Sequence, residues 1–199
     1  MFLHLDRCRA ALRARLAEPH RAYHGQSHID SMLRGMQALP APSHPAAMEL
    51  AIWYHDAVYD PAARDNEARS ATLLRADLSG LVHPQVIGMA AEMIRLTAGH
   101  ALPPDLPGNW QGDVALFLDL DLAILGAPAP EYDDYERGIA AEYEPVHGRD
   151  AYRAGRAAFL RGLLARPRLF LTDRFHEALD LAARDNITRT LASQSPAPP

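Results

Sequence analysis

A chain of 199 residues with 48% hydrophobic and 23% charged residues can bury a sizeable core without staples, and its composition is that of an ordinary soluble globular domain. The net charge of −5 argues against a nucleic-acid backbone as the main partner, because neutralising phosphates requires a basic surface. The lone cysteine, Cys8, permits no internal disulfide and fits a reducing compartment, and MFLHLDRCRA shows no charged leader before an apolar run. No apolar run approaches the roughly 18 residues of a bilayer span, so a cytoplasmic protein without a membrane partner is expected. All twenty basic residues are Arg, so any phosphate held by a side-chain cation must be held by a guanidinium fork.

The hydrophobic period is helical nearly throughout, and no alternating strand pattern stands out. A first helix is predicted over 2–17, and a second beginning at Pro19, a residue suited to a first helical turn. ALPAPSHPAA (38–47) reads as a loop. Helices are then predicted at 45–59, 65–78, 84–98, 110–125, 130–146, 150–165 and 173–191. Asp65 and Asp150 are candidate N-caps, Pro84 a first-turn proline, and Gly99 and Gly126 candidate stops. ALPPDLPGNWQGD (101–113) is long for a helix connection, a length common in binding loops as well as in plain surface excursions. SQSPAPP at the C-terminus has the composition of a disordered tail. The reading is all-α, one domain, with no internal repeat.

Three groups of residues could carry chemistry. His20, His24 and His28 are spaced by four on the predicted second helix and climb roughly one face. Ile29, Met32, Leu33 and Met36 mark its buried stripe, and His28 lies at the edge, either as a ligand or as a hydrogen-bonded structural residue. AIWYHDAVYD (51–60) sets His55 and Asp56 among apolar neighbours, where an unpaired charge is costly unless a partner or an ion neutralises it. VALFLDLDLAILG (114–126) is apolar on nearly every side, yet carries Asp119 and Asp121. Two positions apart on a helix, these carboxylates point about 200° away from one another, so each needs its own metal, Arg or His. His28, His55, Asp56 and one of the two later aspartates make a set of two imidazoles and two carboxylates. Such a set suits a divalent ion of intermediate hardness, Mn²⁺, Fe²⁺, Co²⁺ or Zn²⁺. An ion held this way lowers the pKa of water and polarises a phosphoryl oxygen.

The order H…HD…D resembles the HD superfamily of metal-dependent phosphohydrolases, and more narrowly its small bacterial branch. The matching stretches are EPHRAYHGQSH (18–28), WYHDAVYDPAARDNEARSA (53–71), MIRLTAGH (93–100) and DLDLAILG (119–126), with weaker likeness in AEYEPV (141–146) and AARDNI (182–187). The resemblance implies a single HD-domain-like all-α bundle over 1–192 followed by a tail over 193–199. It implies His28, His55, Asp56 and Asp121 as ligands of a divalent ion (Mn²⁺, Fe²⁺, Co²⁺, Zn²⁺ or Mg²⁺), Asp121 being preferred to Asp119 on likeness alone. It further implies catalytic roles for Asp56, Glu67 and His24, and contact with a substrate phosphate for Arg21, Arg69 and His100. Ala22 and Ala140 depart from the family pattern, where relatives often carry His and Arg. The expected activity is hydrolysis of a small phosphorylated metabolite such as a nucleotide. A non-catalytic, metal-dependent nucleotide sensor and a di-iron oxygenase of the same fold are the alternatives.

Overall fold

In the computed structural model, which describes residues 2–194 with side chains within 7–193, every regular element among the described residues is helical. The elements in order are α1 (Phe2–Leu16), α2 (Gln26–Gln37), α3 (Pro45–Tyr54), α4 (Asn66–Leu78) and α5 (Pro84–Leu96). There follow α6 (Gly108–Leu122), a 3₁₀ turn (Ala123–Gly126), α7 (Ala129–His147), α8 (Arg149–Leu164) and α9 (Asp173–Gln194). The expected all-α class is what the chain adopts. No helix among the described residues is long and apolar enough to cross a membrane.

Two compact units divide the chain, one ending at Asp121 and one starting at Leu122, where the sequence reading drew no boundary. In the first unit α3 is the central rod and packs on α2, α4 and α5. Its sequence PAAMELAIWY has almost no polar face, and Met48, Ala51 and Ile52 are wholly buried. Pro45 starts it at a position whose N–H has no helical partner in any case. Ile29 and Met32 of α2, Leu74 and Leu78 of α4, Met89, Met93 and Ile94 of α5, and Phe117 and Leu118 of α6 complete this core. Gly35 of α2 allows a close approach: a Cβ there would meet the Leu120 Cδ2 of α6 at 2.7 Å. In the second unit α9 packs on the 3₁₀ turn and on α8, and α7 packs on α8. Asn186 ties these pieces together by donating to the carbonyls of Leu125 (3.0 Å) and Ala127 (2.9 Å).

Several helix ends differ from the sequence reading by one to three residues, and four differences bear on the reading of the chain. The second helix starts at Gln26 instead of Pro19, so 19–25 form turns and the ladder of His20, His24 and His28 does not share one helical face. The third ends at Tyr54, with His55 as its C-cap, five residues short of the predicted 59. Asp65 does occupy the N-cap of α4, but Asp150 lies inside α8, whose N-cap is Gly148 at φ 78°. At the C-terminus α9 runs through Gln194, so Ser193 and Gln194 of the expected tail are helical, and 195–199 lie outside the described residues.

Candidate metal centre

Four polar side chains meet at the C-terminal end of α3. His55 is the first residue past that helix, with its N–H still bonded to Ala51 O at 2.9 Å. Its ring Nδ1 donates to Ile52 O at 2.9 Å, so in the neutral ring the lone pair sits on Nε2, which faces the cluster. Asp56 follows in the turn. His28 comes from the first turn of α2 and Asp121 from the last turn of α6.

His28 Nε2 lies 3.1 Å from His55 Nε2, 3.0 Å from Asp121 Oδ1 and 3.9 Å from Asp56 Oδ2. His55 Nε2 lies 3.0 Å from Asp56 Oδ2 and 3.6 Å from Asp121 Oδ1. Two ligand bonds of about 2.1 Å span about 3.0 Å at a right angle and about 3.4 Å at a tetrahedral one. The separations among His28, His55 and Asp56 therefore suit three atoms around one ion, with Asp121 Oδ1 standing beside the two imidazoles. Asp56 Oδ2 is buried, and the polar atoms nearest to it are the ring nitrogens of His55 at 3.0 Å and His28 at 3.9 Å, the arrangement a shared cation would have around it. The imidazoles are sealed, with 4% and 2% of their side-chain surface exposed, while Asp56 and Asp121 retain 16% and 13%. Whatever solvent reaches the cluster does so from the carboxylate side.

The electrostatics agree with a cation-seeking site. Burial by itself would push the His55 imidazolium down, but the carboxylates of Asp56 and Asp121 outweigh it and raise the ring to about 9. Burial likewise opposes ionisation of Asp56, yet His55 and His24 hold its carboxyl well below the usual range. Asp121 is also held low against burial, through hydrogen bonds from His100 and His28. Two ionised carboxylates gathered in the interior stabilise a proton on the adjacent imidazole, and a divalent ion is the stronger partner for the same charge.

The turn that carries Asp56 is built by residues distant in sequence. Ser70 Oγ accepts the Val58 N–H at 3.0 Å and donates to Val58 O at 3.3 Å. Asn66 accepts from Asp60 N at 3.1 Å and donates to Asp60 O at 2.9 Å, while Asp60 Oδ1 accepts the Ala62 N–H at 2.9 Å. Much of the sequence WYHDAVYDPAARDNEARSA is thus spent on fixing one loop. Arg21, expected at a substrate phosphate, has no exposed side-chain surface. Its guanidinium donates to the carbonyls of Asp56, His24 and Ala57, pairs with Glu18 and lies over the Tyr59 ring. The fork is committed to the fold.

The remaining expected residues fall on both sides of the cluster's edge. His24 is half-buried, with ring centroids 4.5 Å from Tyr59 and 6.2 Å from His28, and it acts electrostatically on Asp56. His100, expected at the phosphate, donates from Nε2 to Asp121 Oδ2 at 2.8 Å. His20 lies outside the cluster, its Nε2 bonded to Tyr59 O at 3.1 Å. Arg69 is exposed on α4 and pairs loosely with Asp65 at 3.8 Å. Glu67 stands half-buried in the first turn of α4, and no hydrogen bond or ion pair among the described residues joins it to the cluster. Asp119 is buried, and the carboxylate of Asp121 reaches His28 and His100. The contributions of Arg21, Ser70 and Gly35 went unread: each acts on a partner at least twelve residues away, and no local spacing announces it.

Comparison with protein-family models, curated proteins and solved structures finds no match to this chain. The functional reading therefore stands on the site itself.

Proposed function

We propose that the chain is a metal-dependent phosphohydrolase acting on a small phosphorylated metabolite such as a nucleotide. The observation that carries this reading is the convergence of His28, His55 and Asp56, with Asp121 beside the two imidazoles, from three separate segments. The likeness of WYHDAVYDPAARDNEARSA to an HD motif supports it further. His28, His55, Asp56 and Asp121 would hold a divalent ion, Mn²⁺, Fe²⁺, Co²⁺, Zn²⁺ or Mg²⁺, which supplies Lewis acidity and a water of lowered pKa.

The chain's own residues then have distinct tasks. The sealed imidazoles of His28 and His55 keep bulk water from one side of the site. Asp56, kept ionised, accepts a hydrogen bond from the attacking water and aligns it toward phosphorus. His24, half-buried beside Asp56, takes a proton from that water and returns one to the leaving oxygen. The products are an alcohol, or a shorter phosphate, and inorganic phosphate.

The test has two parts. Metal analysis of chain purified without added metal should find a divalent ion that His55→Ala and Asp56→Ala lose. A phosphate-release screen on esters and nucleotides should show turnover that a chelator abolishes and Mn²⁺ restores. Tight nucleotide binding without turnover would favour a sensor, and oxygen uptake by the iron-loaded chain an oxygenase.

A further inference from the structure

We propose that His100 is a positioning residue that fixes the Asp121 carboxylate in the orientation that binds the ion; this deepens the metal-site reading above and rests on it. His100 Nε2 donates to Asp121 Oδ2 at 2.8 Å, whereas Asp121 Oδ1 lies 3.0 Å from His28 Nε2 and 3.6 Å from His55 Nε2. The two oxygens of one carboxylate are thereby given different partners. With Oδ2 held, rotation about the carboxyl bond is arrested and Oδ1 stays directed at the cluster. A carboxylate restrained in this way loses less freedom when it takes an ion, and supporting partners of this kind strengthen metal binding.

The backbone adds a second, independent observation. His100 is the one non-glycine among the described residues with positive φ, 46°. That left-handed conformation is unfavourable for a residue with a Cβ. Gly99, which could adopt it freely, is the adjacent residue, yet the chain places the conformation on the histidine. The turn is locked by His100 N–H donating to Leu96 O at 2.8 Å, past the end of α5. Strain kept on a side chain that reaches a ligand-bearing carboxylate is strain that a purely structural turn would shed by using glycine. The donor expected to face a substrate phosphate is spent instead on Asp121.

The test uses the full chain stripped of metal by chelator and titrated with Co²⁺, comparing wild type, His55→Ala, His100→Gly and His100→Gln. The expected result is loss of binding in H55A and roughly 10–100-fold weaker binding in H100G, the range for residues that support a ligand. H100Q, whose side-chain amide can donate to the same oxygen, should recover most of that loss. The visible spectrum of the Co²⁺-saturated H100G should match wild type, because no ligand has been removed. Melting of the metal-free variants is followed alongside, because glycine relieves the strain of φ 46° but leaves Asp121 Oδ2 without its donor. Wild-type affinity in H100G overturns the positioning role while leaving the metal site intact. Equal weakening of H100G and H100Q, or a changed saturated spectrum, overturns it in favour of His100 as a direct ligand. Equally poor binding by wild type and H55A overturns the metal site, and the role of His100 with it.

Discussion

Arg21 Nη1 donates to the backbone oxygen of Asp56 at 2.6 Å, thirty-five residues away in the chain, and its side chain has no exposed surface. The same nitrogen reaches His24 O at 3.0 Å, so one guanidinium joins the turn ahead of α2 to the turn after α3. His28 and His55 start from those two turns. Arg21→Lys keeps the charge but loses the fork, and leaves some of the buried carbonyls without a donor. Each buried acceptor so stranded costs about 1–3 kcal/mol. R21K should therefore lower the melting temperature clearly and reduce bound metal at the same time. A rise in KM with an unchanged melting temperature would instead mean that Arg21 meets substrate.

Asp121→Asn and Asp119→Asn separate the two aspartates of α6. Asp121 touches His28 and His100, at 3.0 Å and 2.8 Å, so D121N should weaken metal binding more steeply than the roughly 10–100-fold typical of a supporting residue. D119N alters a carboxylate buried in the same helix, and should lower stability while metal is still bound. Metal content and thermal melting of the two purified variants decide the matter. The opposite pattern of metal loss would reverse the assignment.

Gly35 permits the close approach of α2 and α6 beyond His28 and Asp121, because any Cβ there meets Leu120 Cδ2 at 2.7 Å. Gly35→Val should cost about 1–3 kcal/mol through overpacking, and should weaken metal binding by disturbing the seating of α2 on α6. Gly88 of α5 serves as the control, since a Cβ added there would meet no atom within 4 Å. G88A should gain up to about 1 kcal/mol from helix propensity. Denaturant unfolding of both variants, beside metal titration, checks the contrast.

Asp180 provides a pH signature in the second unit. Burial works to raise its carboxyl, but hydrogen bonds from Arg184 (2.6 Å) and the Leu169 N–H (2.7 Å), with His176 beside it, hold it below the ordinary 3.8. A carboxyl lowered in the folded state stabilises fully above its unfolded value and loses that contribution as pH falls through the folded one. Asp180→Asn should thus be less stable than wild type at neutral pH, with the difference shrinking below about pH 4. Melting temperatures across an acid series would show it. A constant difference at all pH values would mean that the carboxylate charge contributes nothing.

The sequence by itself determined the helical class, most helix positions and the residue types of the cluster. A 3.6-residue period survives in any context, and a His–Asp pair amid Ala, Ile, Trp and Val demands a partner wherever it lies. It also singled out Asp119 and Asp121 as carboxylates in a buried helix, but a helix apolar all round offers no face by which to choose between them. Only the tertiary structure brings His28 from α2 and His100 from the turn after α5 to Asp121. It likewise undid the ladder of His20, His24 and His28. Local spacing favoured a helix from Pro19, but Arg21 gains more by donating to Asp56 and Ala57 than 19–25 gain as a short helical extension. Periodicity records what neighbours along the chain want, whereas a buried guanidinium or carboxylate is settled by partners dozens of residues away.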